Sequence, residues 1–389
     1  MREFIKLNQG WLFHFLIIFL YGFTVFFMIM YVPAIVDIKI HNLHLIDYLA
    51  LGYFPLPPGY YFLIYILDLV LHYKYPFVVS SFLVTTFFLW WKYNLLNNWV
   101  SKELPFRPII VFSISLTFLF LSPIFIPAID GDFWYLGKLT QTIWHNSTLI
   151  ASFPFCILLF KKTFDWIETK KLADFYCLIV FCAAILLIKP SFLFCYVPAL
   201  PIYAFLKEKK LSTLFWHSST LSLVLFVLIL FEKFVIFSWD PMISEIYSDE
   251  ERSEVVINLF FVWLHFSDQS IFDFLSSIPL ILIYLILWGK KAFEYQYFTF
   301  SFLLLFFALL IYAVFAESGF RELHGNFYWQ IPIALFLTHL SIVFDVGKSY
   351  FNNNGKPTIK VIVLLVIYLI QFGFGLTYWL RIFTGLILS

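Results

Sequence analysis

Asp37, His41 and His44 stand in the polar stretch VDIKIHNLHLIDYL, directly after the first long apolar run. On a helix, residues four apart share a face, and His44 follows His41 by about one turn. A carboxylate beside an imidazole can accept a proton from a hydroxyl group while the histidine orients the substrate. The alternative is a solvated helix whose polar groups only face water, but ionisable residues at a membrane are costly unless they are used.

A second group of residues has the composition of a sugar site and lies in IDGDFWYLGKLTQTIWHNST, residues 129–148. Its members are Asp130, Asp132, Trp134, Trp144, His145 and Asn146. Sugar rings stack on indole, and their hydroxyl groups bond to carboxylates and amides. Two alternatives remain for the aspartates: an ordinary turn, or a site for Mg²⁺ or Mn²⁺, since these ions prefer oxygen ligands.

Two further connectors carry cations that can bind phosphate. In IKPS, Lys189 has almost no loop to solvate it, so it either extends toward the membrane surface or binds a lipid phosphate. In AESGFRELHGNFYWQ, Glu317, Arg321, His324 and Asn326 crowd one short connector. Arg321 is the leading candidate for a phosphate or diphosphate ligand, because guanidinium groups bind such anions through paired hydrogen bonds.

The elements that must hold these side chains are membrane helices. Of the 389 residues, 62% are hydrophobic and 13% are charged, whereas a soluble domain is about half apolar and a quarter charged. We therefore predict an all-α, polytopic transmembrane helical bundle formed by a single integral membrane domain, residues 1–389. About eleven spans are expected, near residues 11–33, 76–91, 108–126, 147–160, 174–188, 191–206, 211–231, 273–289, 297–315, 327–344 and 360–380.

The positive charges predict how the chain is oriented. With eleven crossings, most of the 25 lysines and arginines fall on one side, which should be cytoplasmic together with the amino terminus. This distribution also predicts that GYYFLIYILDLVL is an interfacial helix in the first external loop and not a further span. The external loops are then expected at about residues 34–75, 127–146, 232–272 and 316–326.

The layout resembles that of bacterial GT-C membrane glycosyltransferases of surface-polysaccharide pathways: a first span, an external loop with an early aspartate, an interfacial helix introduced by PLPPGYY, and many later spans with basic cytoplasmic loops. The motifs DIKIH, PLPPGYY, WHNST, KPS and HGNFYW are also similar to those of multispanning proteins of surface-polysaccharide clusters. The likeness of layout covers most of the chain. It implies a GT-C-like fold in the bacterial cytoplasmic (inner) membrane, with the active site facing the periplasm or exterior. It also implies a polyprenyl-phosphate-linked sugar as donor and a glycan or glycolipid as acceptor, with the lipid bilayer as the surroundings and no nucleic-acid partner.

The resemblance also implies roles for single residues. By position, Asp37 would be the catalytic base, with Asp47 as the fallback, and the reaction would invert the anomeric configuration. Arg321 and Lys189, together with Lys138, would then stabilise the phosphate leaving group. His41 and His145 would orient the reacting groups, His44 would be a substrate-binding residue, and Trp134 and Trp144 would hold sugar rings.

Other classes of function fit the sequence less well. A polysaccharide repeat-unit polymerase would also handle lipid-linked oligosaccharides, but such a site relies on several arginines, and the predicted outer face has few. A flippase or transporter would need charged residues within its spans and an internal repeat, and neither is apparent in the sequence. A structural subunit would leave the crowded outer loops without a role.

Overall fold

The computed structural model describes residues 2–32, 36–71, 74–130, 135–240, 242 and 252–384, with side chains from residue 10 onward. Regular structure in this part of the chain is almost entirely helical, which confirms the all-α prediction. The α-helices are α1 (Arg2–Met30), α2 (Asp37–Ala50), α3 (Pro58–Leu71), α4 (Val78–Glu103), α5 (Pro108–Phe118), α6 (Pro127–Asp130), α7 (Ser147–Thr169), α8 (Leu172–Ile188), α9 (Ser191–Glu208), α10 (Thr213–Phe234), α11 (Phe261–Phe266), α12 (Ser270–Ser277), α13 (Pro279–Trp288), α14 (Gln296–Val314), α15 (Ile331–Asn352) and α16 (Ile359–Ile382).

The remaining regular elements are short. A π-helical turn (Val235–Trp239) extends α10, and 3₁₀ turns occupy Gly289–Glu294 and Gly319–Arg321. Strands β1 (Val255–Ile257) and β2 (Phe315–Glu317) form one antiparallel ribbon, in which Val255 lies opposite Glu317. This ribbon joins the segment after α10 to the segment after α14.

Polar side chains set the ends of several helices. Asn146, Ser212 and Thr358 precede α7, α10 and α16, and each accepts a hydrogen bond from a backbone N–H in the first turn of its helix. Such caps satisfy donors that have no partner within the helix. Lys170 and Lys209 end α7 and α9 in the left-handed backbone region, with φ of 53° and 52°. The polar connectors thus fix where these helices start and stop.

Six helices are long and apolar enough to cross a membrane: Gly10–Met30, Ser147–Thr169, Thr213–Trp239, Gln296–Val314, Ile331–Asn352 and Ile359–Ile382. The pair Ser270–Ser277 and Pro279–Glu294, bent by 67°, makes a seventh if it counts as one span. All seven coincide with spans predicted from the sequence. The chain therefore has the form of a multi-pass membrane protein.

Four predicted spans coincide with helices that do not meet the same criteria of length and hydropathy. These spans, at 76–91, 108–126, 174–188 and 191–206, correspond to α4, α5, α8 and α9. Helix α5 is only 11 residues long, because the chain leaves the helical path after Phe118. The total of eleven crossings therefore stays a prediction.

The segment that follows α5 lies inside the bundle. Residues 136–146, which belong to the external loop predicted over residues 127–146, are buried throughout, as are residues 118–123. The Gln141 amide donates to the carbonyl oxygen of Phe118 at 2.8 Å, and the Thr142 hydroxyl lies 3.0 and 2.9 Å from the carbonyl oxygens of Leu119 and Leu121. Side chains of the second buried stretch thus satisfy the carbonyl groups of the first.

The two ends of the bundle differ in their charges. At one end, which we call the lysine end, ion pairs join different helices: Lys348 contacts Glu103 at 2.5 Å, and Lys170 contacts Glu208 at 3.1 Å. At the opposite end α7, α9 and α15 begin and α1, α8 and α14 finish. The described residues that the sequence singled out for chemistry lie at this second end.

Replacing Gly375 in α16 with alanine should disrupt the packing of the buried segment. A Cβ atom there would lie 1.3 Å from the carbonyl oxygen of Phe120, a backbone atom that cannot move alone. We expect Gly375→Ala to lower the free energy of unfolding by at least about 1–3 kcal/mol, as overpacking does. The measurement is the midpoint of thermal unfolding of the purified protein in detergent.

Gly373→Ala is the matched control, because nothing lies within 4 Å of the added Cβ on the same helix. Its unfolding midpoint should be unchanged or slightly higher, since alanine is favoured over glycine in helices by up to about 1 kcal/mol. Equal midpoints for the two variants would contradict the described contact between α16 and residue 120.

Candidate functional site

Helix α2 presents Asp37, His41 and His44 on one face, as their spacing predicted. Asp37 is the first residue of the helix, and the rings of His41 and His44 lie 6.4 Å apart, edge to face. The opposite face is anchored by Ile38, which is fully buried, and by Asn42, whose amide donates to the Ser81 hydroxyl of α4 at 3.0 Å. The packing of α2 therefore fixes the direction in which its polar face points.

His41 is held as a neutral imidazole by two tyrosines of α3. Its Nδ1 lies 2.6 Å from the Tyr61 hydroxyl, and the rings of Tyr60 and Tyr61 pack edge-on against it. Burial, together with the nearby Lys189 and His44, lowers the pKa of His41 to about 3. At neutral pH this histidine can orient a ligand by hydrogen bonding but adds no charge.

Lys189 follows the last turn of α8 and reaches the first turn of α7. Its Nζ lies 3.1 Å from the Thr148 hydroxyl and 5.3 Å from the centre of the Trp329 ring. Burial lowers the pKa of Lys189 to about 8, and Asp37 and Glu317 partly oppose this effect. Among the described residues no carboxylate lies within 4 Å of its ammonium group. The charge of Lys189 is thus available to an anionic ligand.

His145 is deeply buried beside Lys189. Its side chain is 5% exposed, and its ring lies 4.7 Å from that of Tyr135 and 6.2 Å from that of Trp329. Neither ring nitrogen has a hydrogen-bond partner among the described residues. Burial lowers the pKa of His145, with Asp37 opposing and Lys189 adding to the shift. A buried imidazole without partners is costly, which makes it a candidate contact for a ligand.

The connector between β2 and α15 carries the remaining predicted ligands. Glu317 accepts a hydrogen bond from the Asn326 amide at 2.6 Å, and burial raises the pKa of Glu317. The Arg321 guanidinium lies 5.0 Å from the centre of the Phe237 ring and has no carboxylate within 4 Å among the described residues. Burial and Arg321 together lower the pKa of His324. Arg321 is therefore a second cation that has no carboxylate partner among the described residues.

These elements converge on Asp37. The Asp37 carboxylate influences the pKa values of Lys189, His145 and His324 through direct electrostatic interaction, so all three lie close to it. Asp37 itself is half-buried and makes no hydrogen bond or ion pair with a described side chain. We call the combined set the Asp37 cluster: Asp37, His41, His44, His145, Lys189, Glu317, Arg321, His324 and Asn326.

Asp130 belongs to a different group of contacts. Its carboxylate lies 2.8 Å from the ammonium group of Lys138, which also contacts Asp273 at 2.9 Å and the Ser276 hydroxyl at 2.8 Å. The side chains of Lys138, Asp130 and Asp273 are almost completely buried. Lys138 thus pairs with two aspartates and is not available to stabilise a phosphate.

The other predicted residues have mixed placements. Trp144 is 2% exposed, and its ring packs between those of Tyr21 and Phe120 in the interior. The Asn146 side chain caps α7, and Asp47 is exposed on α2 near His44. Asp132 and Trp134 lie outside the described residues.

The arrangement of oxygen and nitrogen ligands offers little to a metal ion. Across the described ranges, no three or more His, Cys, Asp or Glu side chains are grouped as metal ligands. The carboxylate of Asp130, which the sequence offered for Mg²⁺ or Mn²⁺, is already occupied by Lys138. This carboxylate does not fit a divalent cation while that lysine is in place.

The sequence did not single out three residues that complete the cluster. Tyr61 fixes His41, Trp329 lies under Lys189, and Ser147 places a buried hydroxyl at the start of α7. The sequence placed Tyr61 only within the predicted interfacial helix GYYFLIYILDLVL. Two signals were present in the sequence: the hydroxyl group of Tyr61, and the position of Trp329 directly after HGNFY. The roles themselves depend on contacts with His41 and Lys189, which are distant in sequence.

Removing the charge of Lys138 should destabilise the fold. Lys138→Met leaves two buried aspartates without a cation, and breaking such a pair costs about 3–5 kcal/mol. The unfolding midpoint in detergent should fall well below that of the parent protein. Lys162→Met is the control, because Lys162 contacts Asp165 and Asp174 at 2.9 and 3.1 Å but is about a third exposed. A similar midpoint for both variants would contradict the buried ion-pair assignment.

Comparisons with protein-family models, with curated proteins and with solved structures gave no match to this chain.

Proposed function

We propose that the protein is a membrane glycosyltransferase that transfers a sugar from a polyprenyl-phosphate donor to a lipid-linked or surface glycan acceptor. The observation that supports this proposal is the Asp37 carboxylate, which has no ion-pair partner among the described side chains and acts electrostatically on Lys189, His145 and His324. Arg321 acts in the same way on His44 and His324. A base needs a carboxylate that is free to accept a proton. A phosphate leaving group needs cations that are not already neutralised, and Lys189 and Arg321 meet this condition.

The reaction would proceed as a direct displacement. The acceptor hydroxyl gives its proton to Asp37, and its oxygen attacks the anomeric carbon from the face opposite the lipid phosphate. The bond between this carbon and the phosphate oxygen breaks, and the polyprenyl phosphate leaves with its bonding electrons. The configuration at the anomeric carbon is therefore inverted. Lys189 and Arg321 stabilise the charge on the leaving phosphate, while His41 and His145 orient the reacting groups.

The same proximity supports the proposed arrangement in the membrane. Eleven crossings would bring residues 37, 145, 189 and 321 to one side of the membrane, because an even number of spans separates each of them from the next. Their closeness in the Asp37 cluster agrees with this count. Lysines dominate the other end, which we assign to the cytoplasm by the positive-inside rule. The site would then face the periplasm or exterior of a bacterial cytoplasmic membrane.

Replacing Asp37 with asparagine should abolish transfer with little change in stability. Asparagine keeps the size of the side chain but cannot accept the proton, and loss of a general base costs about 100-fold or more. The measurement is the transfer of radiolabelled sugar from polyprenyl-phosphate donors in isolated membranes. Asp47→Asn is the matched control, on the exposed part of the same helix, and should transfer sugar at the parental rate. Activity of Asp37→Asn together with inactivity of Asp47→Asn would move the base to Asp47.

The activity should decline as pH rises above about 8. The pKa of Lys189 is lowered to about 8 by burial, so its ammonium charge is present below that pH and lost above it. We expect kcat/KM for the donor to fall over this range, because this ratio reports ionisations of the free enzyme. Lys189→Arg keeps the charge at all these pH values and should remove the decline. An identical pH profile in both proteins would exclude Lys189 as the titrating group.

A further inference from the structure

The start of α7 has the features of an anion site. Asn146 caps the backbone N–H of Leu149, and the N–H groups of Ser147 and Thr148 precede the first residue that can bond within the helix. The N-terminus of a helix also carries a partial positive charge, which attracts anions. Helix α7 is 23 residues long, and Lys189 adds a full positive charge at its first turn, 3.1 Å from the Thr148 hydroxyl.

Polar atoms without partners surround the same point. The Ser147 side chain is completely buried and His145 is 5% exposed, yet the Ser147 hydroxyl and both His145 ring nitrogens lack a hydrogen-bond partner among the described residues. Ser191, two residues after Lys189 and 4% exposed, also has an unpartnered hydroxyl. Leaving such groups unsatisfied costs about 1–3 kcal/mol each, so a ligand that bonds to them is stabilised.

We infer that Ser147, Thr148, His145 and Lys189, which we call the α7 subsite, bind a phosphate group. Backbone N–H, hydroxyl and ammonium groups are all hydrogen-bond donors, and a phosphate offers several acceptor oxygens around one centre. A sugar hydroxyl would not use the charge of Lys189, and a carboxylate has only two oxygens for these donors. The assignment rests on the proposed function for its role, which is to hold the donor's phosphate next to Asp37.

An apolar groove favours a lipid as the source of this phosphate. The groove lies between α3 and α4, has a volume of about 530 Å³, and is formed only by apolar side chains: Leu63, Ile66, Leu67, Val70, Leu83, Val84, Phe87 and Phe88. Tyr60 continues the stripe of Leu63 and Leu67 on α3, and its hydroxyl neighbours both Thr85 and Ser147. An isoprenoid chain in the groove would therefore lead its phosphate to the α7 subsite.

Binding without turnover tests this inference. The full chain in lipid nanodiscs is incubated with a radiolabelled short-chain polyisoprenyl monophosphate, and the dissociation constant is measured for the parent protein and for two variants. Ser147→Ala removes one donor and should weaken binding about tenfold. Its unfolding midpoint without ligand should stay almost unchanged, because the neighbouring Tyr60 hydroxyl keeps the Thr85 hydroxyl as a partner at 3.5 Å. Lys189→Met should weaken binding by about tenfold to a hundredfold.

A control variant tests whether the loss of binding is specific to the charge of Lys189. Lys102→Met removes an exposed lysine at the far end of α4 and should bind the lipid as the parent does. Parental affinity in both Ser147→Ala and Lys189→Met would overturn the inference. Because Ser147→Ala is not expected to affect folding, the test stands even if Lys189→Met is poorly folded.

Competition identifies the source of the phosphate group. Displacement by unlabelled lipid phosphate, but not by the isoprenyl alcohol of equal length or by inorganic phosphate at the same concentration, supports a lipid headgroup. Equal displacement by inorganic phosphate keeps the phosphate subsite and overturns its assignment to a lipid.

The proposed function can fail separately. If the two variants lose lipid binding while the parent transfers no sugar from any donor, the subsite stands and the transferase proposal falls. If both variants transfer sugar with parental kcat/KM, the subsite is wrong and the transferase proposal stands.

Discussion

Irregular backbone buried inside an apolar bundle must satisfy its own polar groups, and this constraint shapes the protein. Residues 119–123 and 136–146 lie buried in the interior without regular helix. Gln141 and Thr142 bond to carbonyl oxygens of the first stretch, and Tyr328 bonds to the backbone of Thr140 and Lys138 in the second. Such backbone is tolerated at membrane depth only where protein or a polar cavity satisfies it. These contacts hold His145 and the start of α7 in place.

Two kinds of buried polar group can be told apart within this framework. Lys138 forms ion pairs with Asp130 and Asp273. These pairs join α6, the buried segment and α12, so they stabilise the fold. Among the described residues, by contrast, Asp37, Lys189 and Arg321 form no ion pair, and neither ring nitrogen of His145 has a hydrogen-bond partner. A fold gains nothing from leaving such groups unsatisfied, so their cost points to a function that supplies the missing partner.

Local spacing in the sequence was enough to predict part of this arrangement. The interval between Asp37 and His41 places both on one face of any helix. The length of the apolar runs alone indicated the six helices that meet the membrane criteria and the bent pair. Contacts between distant residues could not be predicted. Lys138 is joined to Asp273 across 135 positions, so Asp130 could not be separated from the sugar site by inspection. The burial of residues 136–146 could not be predicted, because their partners are distant in sequence; Phe118, for example, lies in α5.

The most direct test of the proposed reaction is the donor preference of the purified protein, together with the anomeric configuration of its product. Sugars linked to polyprenyl monophosphate and oligosaccharides linked to polyprenyl pyrophosphate are supplied separately, and the product is analysed by NMR. Our proposal predicts transfer from a monophosphate donor with inverted configuration. Retained configuration, or extension of pyrophosphate-linked oligosaccharides alone, would contradict it; the second result would instead indicate a polysaccharide polymerase.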